Sequence, residues 1–405
     1  MQSRLRPLVE DLAWCWWTQP RATRIGDRLF LGGIASDGGV FAATCDLRSG
    51  ASEKAVLARL EPDDHNNPAL VAVAGKPLLA FYSRHDADDA LRYRVGVRPE
   101  DISDWGEERR LAFGGVTTYA QAHVVGDEVS VFTRVADTRW GYARSADWGD
   151  SWHEPLDFLS LETDQETYMP TALLPDGRSV RVAVAGHPKN YERRPWHQIR
   201  ACLVDLVTGA VTLPSGGAAV ANVRDGSGLP LRGADLELVY EAPRGRTLNL
   251  FDVGDGARFE IAFVSKIEGD HGTDDARYHV ARLADGAWQV EDVVAAGTIF
   301  GYIHAGFYAG GIAFPHGTPG GRVFVSREEG GIWLLERRER RTDGTWGATG
   351  VLERSPRRVV RPWPVREPTP VLEVVALALE RYGDDYMETL SHLVGGAFSE
   401  AGAEP

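Results

Sequence analysis

The chain has 405 residues, and its 58 acidic side chains outnumber its 44 basic side chains, which gives a formal net charge of −14. This balance argues against a nucleic-acid partner, because such binding depends on Lys and Arg side chains that neutralise phosphates. It does not exclude an anionic sugar, since a local cluster of Arg and His can act against the global field. The three cysteines, Cys15, Cys45 and Cys202, have no CxxC spacing and predict buried free thiols.

The first 20 residues contain no long apolar run, because Glu10 and Asp11 interrupt them. We therefore expect neither a signal peptide nor a membrane span, and no membrane partner. The chain is predicted to be cytoplasmic, or secreted if a leader peptide has been removed.

Short runs that alternate apolar and polar residues follow one another along the chain, separated by clusters of Gly, Asp, Pro and Ser. This pattern predicts β-strands joined by tight turns. The clearest runs are Arg28–Gly33, Pro77–Tyr82, Glu128–Arg134, Arg178–Ala185, Phe259–Ser265 and Gly321–Ser326. The chain before residue 370 is therefore predicted to be all-β.

Two histidines in the first third of the chain lie at the ends of predicted strands. His65 lies in the segment Asp63–Leu70, which begins with five strongly hydrogen-bonding residues directly before an apolar strand. His85 ends the next strand. If residues 71–76 form a hairpin turn, both imidazoles lie at similar heights and can enter one funnel. The alternative is two unrelated hydrogen-bonded histidines.

Tyr119 and Arg134 form a second pair of candidate residues on neighbouring strands of a predicted hairpin. Tyr119 begins a predicted strand, and Arg134 ends its partner after the turn at Gly126 and Asp127. The two side chains are predicted to be neighbours across a hairpin.

The segment Ser145–Trp152 fits the Asp-box pattern S-x-D-x-G-x-[ST]-W, and Asp285–Trp288 and Asp343–Trp346 are shorter versions of it. Such a turn is structural, because its Asp caps the backbone, its Gly adopts positive φ and its Trp packs between repeats. The repetition predicts a β-propeller over residues 1–356.

The end of the chain has a different composition. Residues 357–370 are rich in Pro and Arg and predict an extended strap. Residues 371–405 begin with a dense apolar run and predict a short helical tail, which would pack on the propeller or on a second copy in a homo-oligomer.

Several segments together resemble the BNR-4 group of propellers, which is similar to the seven-bladed ulvan lyases and the rhamnose–glucuronate lyases. The match runs from about Trp14 to Leu352, and DDHNNPAL is its most specific part. The segments are WCWWTQPRA (14–22), DDHNNPAL (63–70), FYSRH (81–85), the Asp box, AGHP (185–188), YAGGIAF (308–314) and VFVSREEGGIWLLERR (323–338).

The resemblance implies a seven-bladed propeller that cleaves an acidic oligo- or polysaccharide by β-elimination at a uronic acid, without a cofactor, although a structural metal ion is compatible with it. Arg134 would neutralise the uronate carboxylate, His65 or His85 would remove the C5 proton, and Tyr119 would protonate the leaving oxygen or share proton transfer. Further polar residues would line the sugar subsites: Asn66, Asn67, Tyr168, His187, Lys189, Arg194, Tyr302, His304, Tyr308 and Arg327.

Three alternatives remain open on the sequence. A glycoside hydrolase would need two carboxylates at a defined separation, and Asp63 and Asp64 would point to opposite faces if they lay on a strand. A lectin-like propeller would bind sugar without turnover, using some of the 12 Trp residues. A metal site of His65, His85 and His187 has no strong support from spacing.

Overall fold

The computed structural model describes residues 4–161, 166–187, 197–267, 275–297, 309–382 and 389–398. These residues form β-strands, turns and two three-residue 3-10 helices, η1 (Asp64–Asn66) and η2 (Gly233–Asp235). The prediction of an all-β chain is therefore confirmed. None of the helices in the described ranges is long and apolar enough to cross a membrane. All three cysteines are buried and unpaired, as predicted.

The strands of the described ranges are short, and most of them bury at least one face. In chain order they are β1 (Arg6–Val9), β2 (Ala22–Ile25), β3 (Arg28–Ile34), β4 (Gly39–Asp46), β5 (Ser52–Arg59), β6 (Ala69–Val71), β7 (Pro77–Tyr82), β8 (Ala90–Pro99), β9 (Arg109–Ala112), β10 (Thr117–Val125), β11 (Glu128–Val135), β12 (Arg139–Ser145), β13 (Leu156–Ser160), β14 (Glu166–Tyr168), β15 (Thr171–Leu173), β16 (Ser179–His187), β17 (Gln198–Asp205), β18 (Ala210–Thr212), β19 (Ala221–Asn222), β20 (Glu237–Glu241), β21 (Arg246–Val253), β22 (Glu260–Ile267), β23 (Arg277–Ala284), β24 (Ala287–Ala295), β25 (Gly311–Ala313), β26 (Arg322–Glu329), β27 (Ile332–Arg340), β28 (Trp346–Ser355), β29 (Arg358–Thr369), β30 (Leu372–Arg381) and β31 (Leu390–Gly396).

The described strands form six sheets. Four of them are four-stranded and antiparallel, with strands in chain order, as in propeller blades: β6–β9, β10–β13, β21–β24 and β25–β28. A seven-stranded sheet contains β14–β20. An eight-stranded sheet has the order β1-β31-β30-β29-β2-β3-β4-β5, so the first and last strands of the chain lie in the same sheet.

This arrangement corrects the prediction of a seven-bladed propeller. Strands β2–β5 and β29–β31 are not separate sheets, because Thr23 of β2 pairs in parallel with Arg366 of β29. Sequence repeats indicate hairpins, but they do not show which neighbouring hairpins merge into one sheet.

The prediction of a helical tail is also wrong. The Pro- and Arg-rich residues 358–369 form β29, and the apolar run after them forms β30. Val374, Val375, Ala376 and Leu377 are completely buried, so this strand is covered on both faces. A strand buried on both faces has a continuous apolar run, which periodicity alone cannot distinguish from a buried helix.

A segment of residues 12–20, here called the crossing segment, runs between the sheets. It pairs with β3 through Ala13 and Ile34, and with β10 through Gln19 and Gln121. Trp17 Nε1 also donates to the carbonyl oxygen of Leu250 in β21, at 3.0 Å. Its Trp side chains belong to the largest hydrophobic cluster of the described residues. The crossing segment therefore ties three sheets together.

The turn at residues 145–152 links two neighbouring sheets. The Asp147 carboxylate accepts a hydrogen bond from the backbone of Ser151 at 2.8 Å, and Gly149 has a φ of +89°. Trp152 packs against Phe81 and Tyr93 of the adjacent sheet, with ring centroids 5.9 and 5.7 Å apart. These contacts are structural.

The buried strand β30 provides a test of the tail. Replacing Leu377 by Ala should lower the free energy of unfolding by about 2–5 kcal/mol, because the substitution leaves a cavity in a closely packed core. The matched control is Val371→Ala, a position that is 62% exposed, where a change within about 0.5 kcal/mol is expected. Urea denaturation of both variants measures the difference. Equal losses would contradict the placement of β30 in the core.

Candidate active site

His65 and His85 meet at the start of the sheet formed by β6–β9. Asp63 caps η1, and its Oδ1 accepts a hydrogen bond from the backbone nitrogen of His65 at 2.9 Å. The strands β6 and β7 pair as an antiparallel hairpin, which brings His85, three residues after β7, back to η1. Asn66 Oδ1 fixes this return by accepting a hydrogen bond from the backbone nitrogen of His85 at 2.7 Å.

One carboxylate holds both imidazoles. Asp63 Oδ1 lies 2.6 Å from Nδ1 of His65, and Asp63 Oδ2 lies 3.0 Å from Nδ1 of His85. The two rings stack, with centroids 4.2 Å apart and planes inclined by 14°. An ionised carboxylate only accepts hydrogen bonds, so each Nδ1 carries its proton toward Asp63 and each Nε2 faces away from it.

The charges around His65 favour its protonated form. Asp64 Oδ1 lies 3.2 Å from the same Nδ1, while Asp64 Oδ2 accepts a hydrogen bond from the buried Arg361 at 2.7 Å. Burial by itself would lower the pKa of His65, but Asp63 and Asp64 outweigh it and raise that pKa above its ordinary value. Burial would also raise the pKa of Asp63, yet the two imidazoles hold it well below its usual range.

Tyr119 lies on an irregularity of β10. Thr118 is opposite Arg134 and Ala120 is opposite Thr133, so Tyr119 is the extra residue of a β-bulge. Its φ of +60° turns its side chain out of the regular alternation. The guanidinium carbon of Arg134 lies 4.7 Å from the centroid of the Tyr119 ring. The predicted neighbourhood of these two residues across a hairpin is present.

Arg134 already has carboxylate partners. Its Nη2 donates to Asp86 Oδ1 at 2.9 Å, and its Nη1 lies 3.7 Å from Glu166 Oε1. Burial would lower the pKa of Arg134, but Glu166, Tyr119 and Asp86 raise it further above its usual value. The side chain is 1% exposed, whereas that of Asp86 is 41% exposed. Asp86 is therefore the solvent-exposed partner in this ion pair.

Asp86 connects the histidine pair with Arg134. Its Oδ2 lies 3.3 Å from Nε2 of His85, and its other oxygen accepts the hydrogen bond from Arg134. One exposed carboxylate thus bridges an imidazole and a guanidinium.

Trp17 of the crossing segment forms the floor of the site. It stacks on Tyr168, with centroids 3.8 Å apart and planes inclined by 22°. The same indole lies 5.7 Å from Tyr119 and 6.5 Å from His65, measured between centroids. Burial raises the pKa of Tyr168 well above its ordinary value, so this phenol keeps its proton at neutral pH.

The structure brings the four predicted catalytic side chains together. The ring of Tyr119 lies 5.7 Å from His65 and 6.2 Å from His85, and it packs against Arg134. Their catalytic roles stay predictions. Of the predicted subsite residues, Tyr168 lies in the same cluster, 5.8 Å from Tyr119.

Asn66 and Asn67 lie beside the histidines, but their side chains have structural contacts. Asn66 Nδ2 donates to the carbonyl oxygen of Glu61 at 2.9 Å. Asn67 Oδ1 accepts a hydrogen bond from the backbone nitrogen of Cys15 at 3.0 Å. Both asparagines therefore hold the site in place from below.

The other predicted subsite residues are not part of this cluster. Arg327 donates to both carboxylate oxygens of Glu336, at 3.1 Å, within the sheet of β25–β28. The backbone of His187 ends β16 opposite Glu166, and its side chain lies outside the described residues. The remaining candidates also fall outside the described residues: Lys189, Arg194, Tyr302, His304 and Tyr308.

Sequence reasoning missed the carboxylates of the site. Asp63 and Asp64 were expected on opposite faces of a strand, but both approach His65 Nδ1, because the chain turns as a 3-10 helix there. The cluster of two Asp residues before His65 was the available signal. Arg361, 297 positions after Asp64, left no local signal.

The donor atoms of Asp63, His65 and His85 lie within 4.8 Å of one another, close enough to hold a metal ion. For both Nδ1 atoms to bind an ion, their direct contacts with Asp63 would have to open. The group is therefore compatible with a metal ion, and it forms a closed hydrogen-bonded unit without one.

The raised pKa of His65 predicts a pH-dependent contribution to stability. It is fully present below the ordinary His pKa of about 6.5 and is lost as the pH rises through the higher pKa of the folded state. We expect the difference in free energy of unfolding between the native chain and His65→Gln to be largest near pH 6 and to shrink at higher pH. Urea denaturation across this range measures it, with the exposed His153→Gln as control. A difference that does not change with pH would contradict a raised pKa.

No family model matches the sequence, and no curated protein matches it. Among solved structures, the chain is similar to an ulvan lyase described as a new family of polysaccharide lyase, with a TM-score of 0.73 and 14% identity over 98% of this chain and 96% of that chain. An ulvan lyase bound to -[GlcA(1-4)Rha3S]- matches with the same TM-score, 13% identity and the same coverage. A putative 6-phosphogluconolactonase from Bacteroides fragilis has a TM-score of 0.49 and 14% identity, over 90% of this chain and 93% of that one.

The resemblance to ulvan lyases is confirmed at the level of the fold. Membership of the BNR-4 group stays a prediction, because no family model supports it. The chain thus has the fold of ulvan lyases along nearly its whole length.

Proposed function

We propose that this chain is a polysaccharide lyase that cleaves a uronic acid-containing glycan by β-elimination. The observation that carries the proposal is the convergence of His65, His85, Tyr119 and Arg134 around the bridging carboxylate of Asp86. The fold shared with ulvan lyases, one of them bound to a glucuronate-containing oligosaccharide, supports the same substrate class.

The reaction needs positive charge at the uronate carboxylate, because the C5 proton is only weakly acidic. We propose that this carboxylate replaces that of Asp86 between Arg134 Nη2 and His85 Nε2. The replacement exchanges one carboxylate for another on the same donors. It therefore does not require the buried Arg134 to move into solvent. The charge-assisted hydrogen bond from Arg134 would stabilise the negative charge that develops when C5 loses its proton.

Tyr119 is then the side chain left to transfer protons. The phenolate oxygen of Tyr119 takes the C5 proton, and the C4–O4 bond breaks as the C4=C5 double bond forms. The leaving O4 then takes this proton from the phenol so formed, which regenerates the phenolate. Arg134 against the ring favours negative charge on the phenol oxygen during the transfer. His65, held protonated by Asp63 and Asp64, keeps positive charge beneath His85.

A direct test follows the ultraviolet absorbance of the unsaturated uronate formed from a polymer of glucuronate and sulfated rhamnose. The native chain should produce this signal, and Tyr119→Phe should reduce the rate by about 10²–10⁴-fold, because a proton-transfer group is lost. The matched control is Tyr240→Phe, a half-buried tyrosine of β20, which should keep the native rate. Reducing ends without the absorbance would identify a hydrolase, and binding without either product would identify a lectin.

The exchange of carboxylates makes a separate prediction for Asp86. Asp86→Ala should lower KM by about tenfold, because the substrate no longer competes with a resident carboxylate for charged donors. Steady-state kinetics measure this, with Asp89→Ala, an exposed residue that pairs with Arg110 outside the site, as control. An unchanged KM with a large fall in kcat would instead assign Asp86 to the chemistry.

A further inference from the structure

A cavity lies near the opposite ends of the strands from the candidate active site. Its volume is 310 Å³, and it is lined by the distal parts of β10, β15 and β21 and by residues that follow β6. The candidate site is built around the starts of the sheets that contain β6 and β10, so the two occupy opposite ends. Neither histidine of the pair lines the cavity, and neither does Tyr119 or Arg134.

The acidic groups of this cavity already accept hydrogen bonds. Asp255 Oδ2 lies 3.1 Å from His316 Nδ1, and its Oδ1 accepts from the backbone of Gly317 at 2.8 Å. Asp252 Oδ2 accepts from the backbone of Phe314 at 2.8 Å. The acceptors of the lining are therefore largely used.

Several hydrogen-bond donors of the lining are not paired with an acceptor of the described residues. Gln19 is 6% exposed and lines the cavity, and no atom of the described residues forms a hydrogen bond with its Nε2. A buried amide without a partner is costly, and a ligand can supply the missing acceptor. Arg366 lines the rim and is exposed to solvent. Its charge lowers the pKa of Asp255, but within the described ranges its guanidinium makes no direct hydrogen bond or ion pair. Burial raises the pKa of Asp252 to about 7, so near neutral pH much of this acid carries a proton that it can donate.

We infer that this cavity binds a sugar acid of one ring, with its carboxylate at Arg366 and its hydroxyl oxygens toward Gln19. Unused donors beside satisfied acceptors select an acceptor-rich anion. The volume is at the lower end of the range of about 300–1,000 Å³ for small-molecule sites, which suits one ring rather than an oligosaccharide. Apolar walls from Val71, Val253 and Phe314 suit the C–H faces of such a ring. This site is separate from the proposed lyase site and does not depend on it.

Calorimetric titration of the full chain with glucuronate tests the site. The native chain should bind glucuronate, and Arg366→Ala should weaken binding by about tenfold or more, because a charge-assisted contact is lost. The control is Arg357→Ala, an exposed arginine just before the other end of β29, which should bind as the native chain does. Glucose has the same ring without the carboxylate and should bind at least about tenfold more weakly.

Three results would overturn the inference. Glucuronate could fail to bind, or glucose or lactate could bind as tightly, which would remove the requirement for a carboxylate or for a ring. Binding could also survive Arg366→Ala and disappear in His85→Ala, which would place the ligand in the candidate active site. Because this assay measures binding only, a failed lyase assay leaves its outcome unaffected.

Discussion

The carboxylate of Asp63 is the contact on which the candidate site depends. It caps the turn that carries His65 and binds the Nδ1 atoms of both imidazoles. Without it, two stacked rings 4.2 Å apart would lose the one carboxylate that contacts both Nδ1 atoms and fixes their tautomers. Since Asp63 and His65 are buried and the side chain of His85 is only 12% exposed, solvent screens the negative charge of Asp63 poorly.

The crossing segment packs beneath Asp63 and the two histidines and holds the aromatic side chains of the site. Its Trp17 stacks under Tyr168 and lies against Tyr119, while Gln19, two residues further on, faces the opposite cavity. Arg361 donates to the carbonyl oxygen of Trp14 in this segment and to Asp64 next to His65. A residue near the end of the chain thus fixes both the crossing segment and the histidine pair. Packing of this kind holds side chains in one arrangement, which proton transfer requires.

The sequence allowed the local geometry of the site to be predicted, because that geometry depends on hairpins. Alternating strands with a turn between them place His65 near His85 and Tyr119 near Arg134, whatever the rest of the fold. The partners from distant segments could not be predicted. The bulge at Tyr119, the ion pair of Arg134 with Asp86, and Arg361 each depend on how separate sheets pack. The prediction of a helical tail was wrong for a related reason. Strand β30 is buried on both faces, so its sequence lacks the alternation of apolar and polar residues that marks a strand.

Under the proposed function an acidic chain binds an acidic glycan, and the charges of the candidate site bear on how this can happen. Asp63, Asp64 and Asp86 contact the histidines, and Glu166 lies beside Arg134. Among the described residues, Arg134 and Arg361 pair with these carboxylates. A further anion would be repelled if it were simply added to this cluster. Exchange avoids the repulsion, because Asp86 is the exposed carboxylate on Arg134 and can move into solvent as the uronate arrives. Selectivity for a uronate then follows from the resident carboxylate. A neutral sugar brings no charge to replace that of Asp86, so the buried guanidinium would keep only the more distant carboxylate of Glu166, at 3.7 Å.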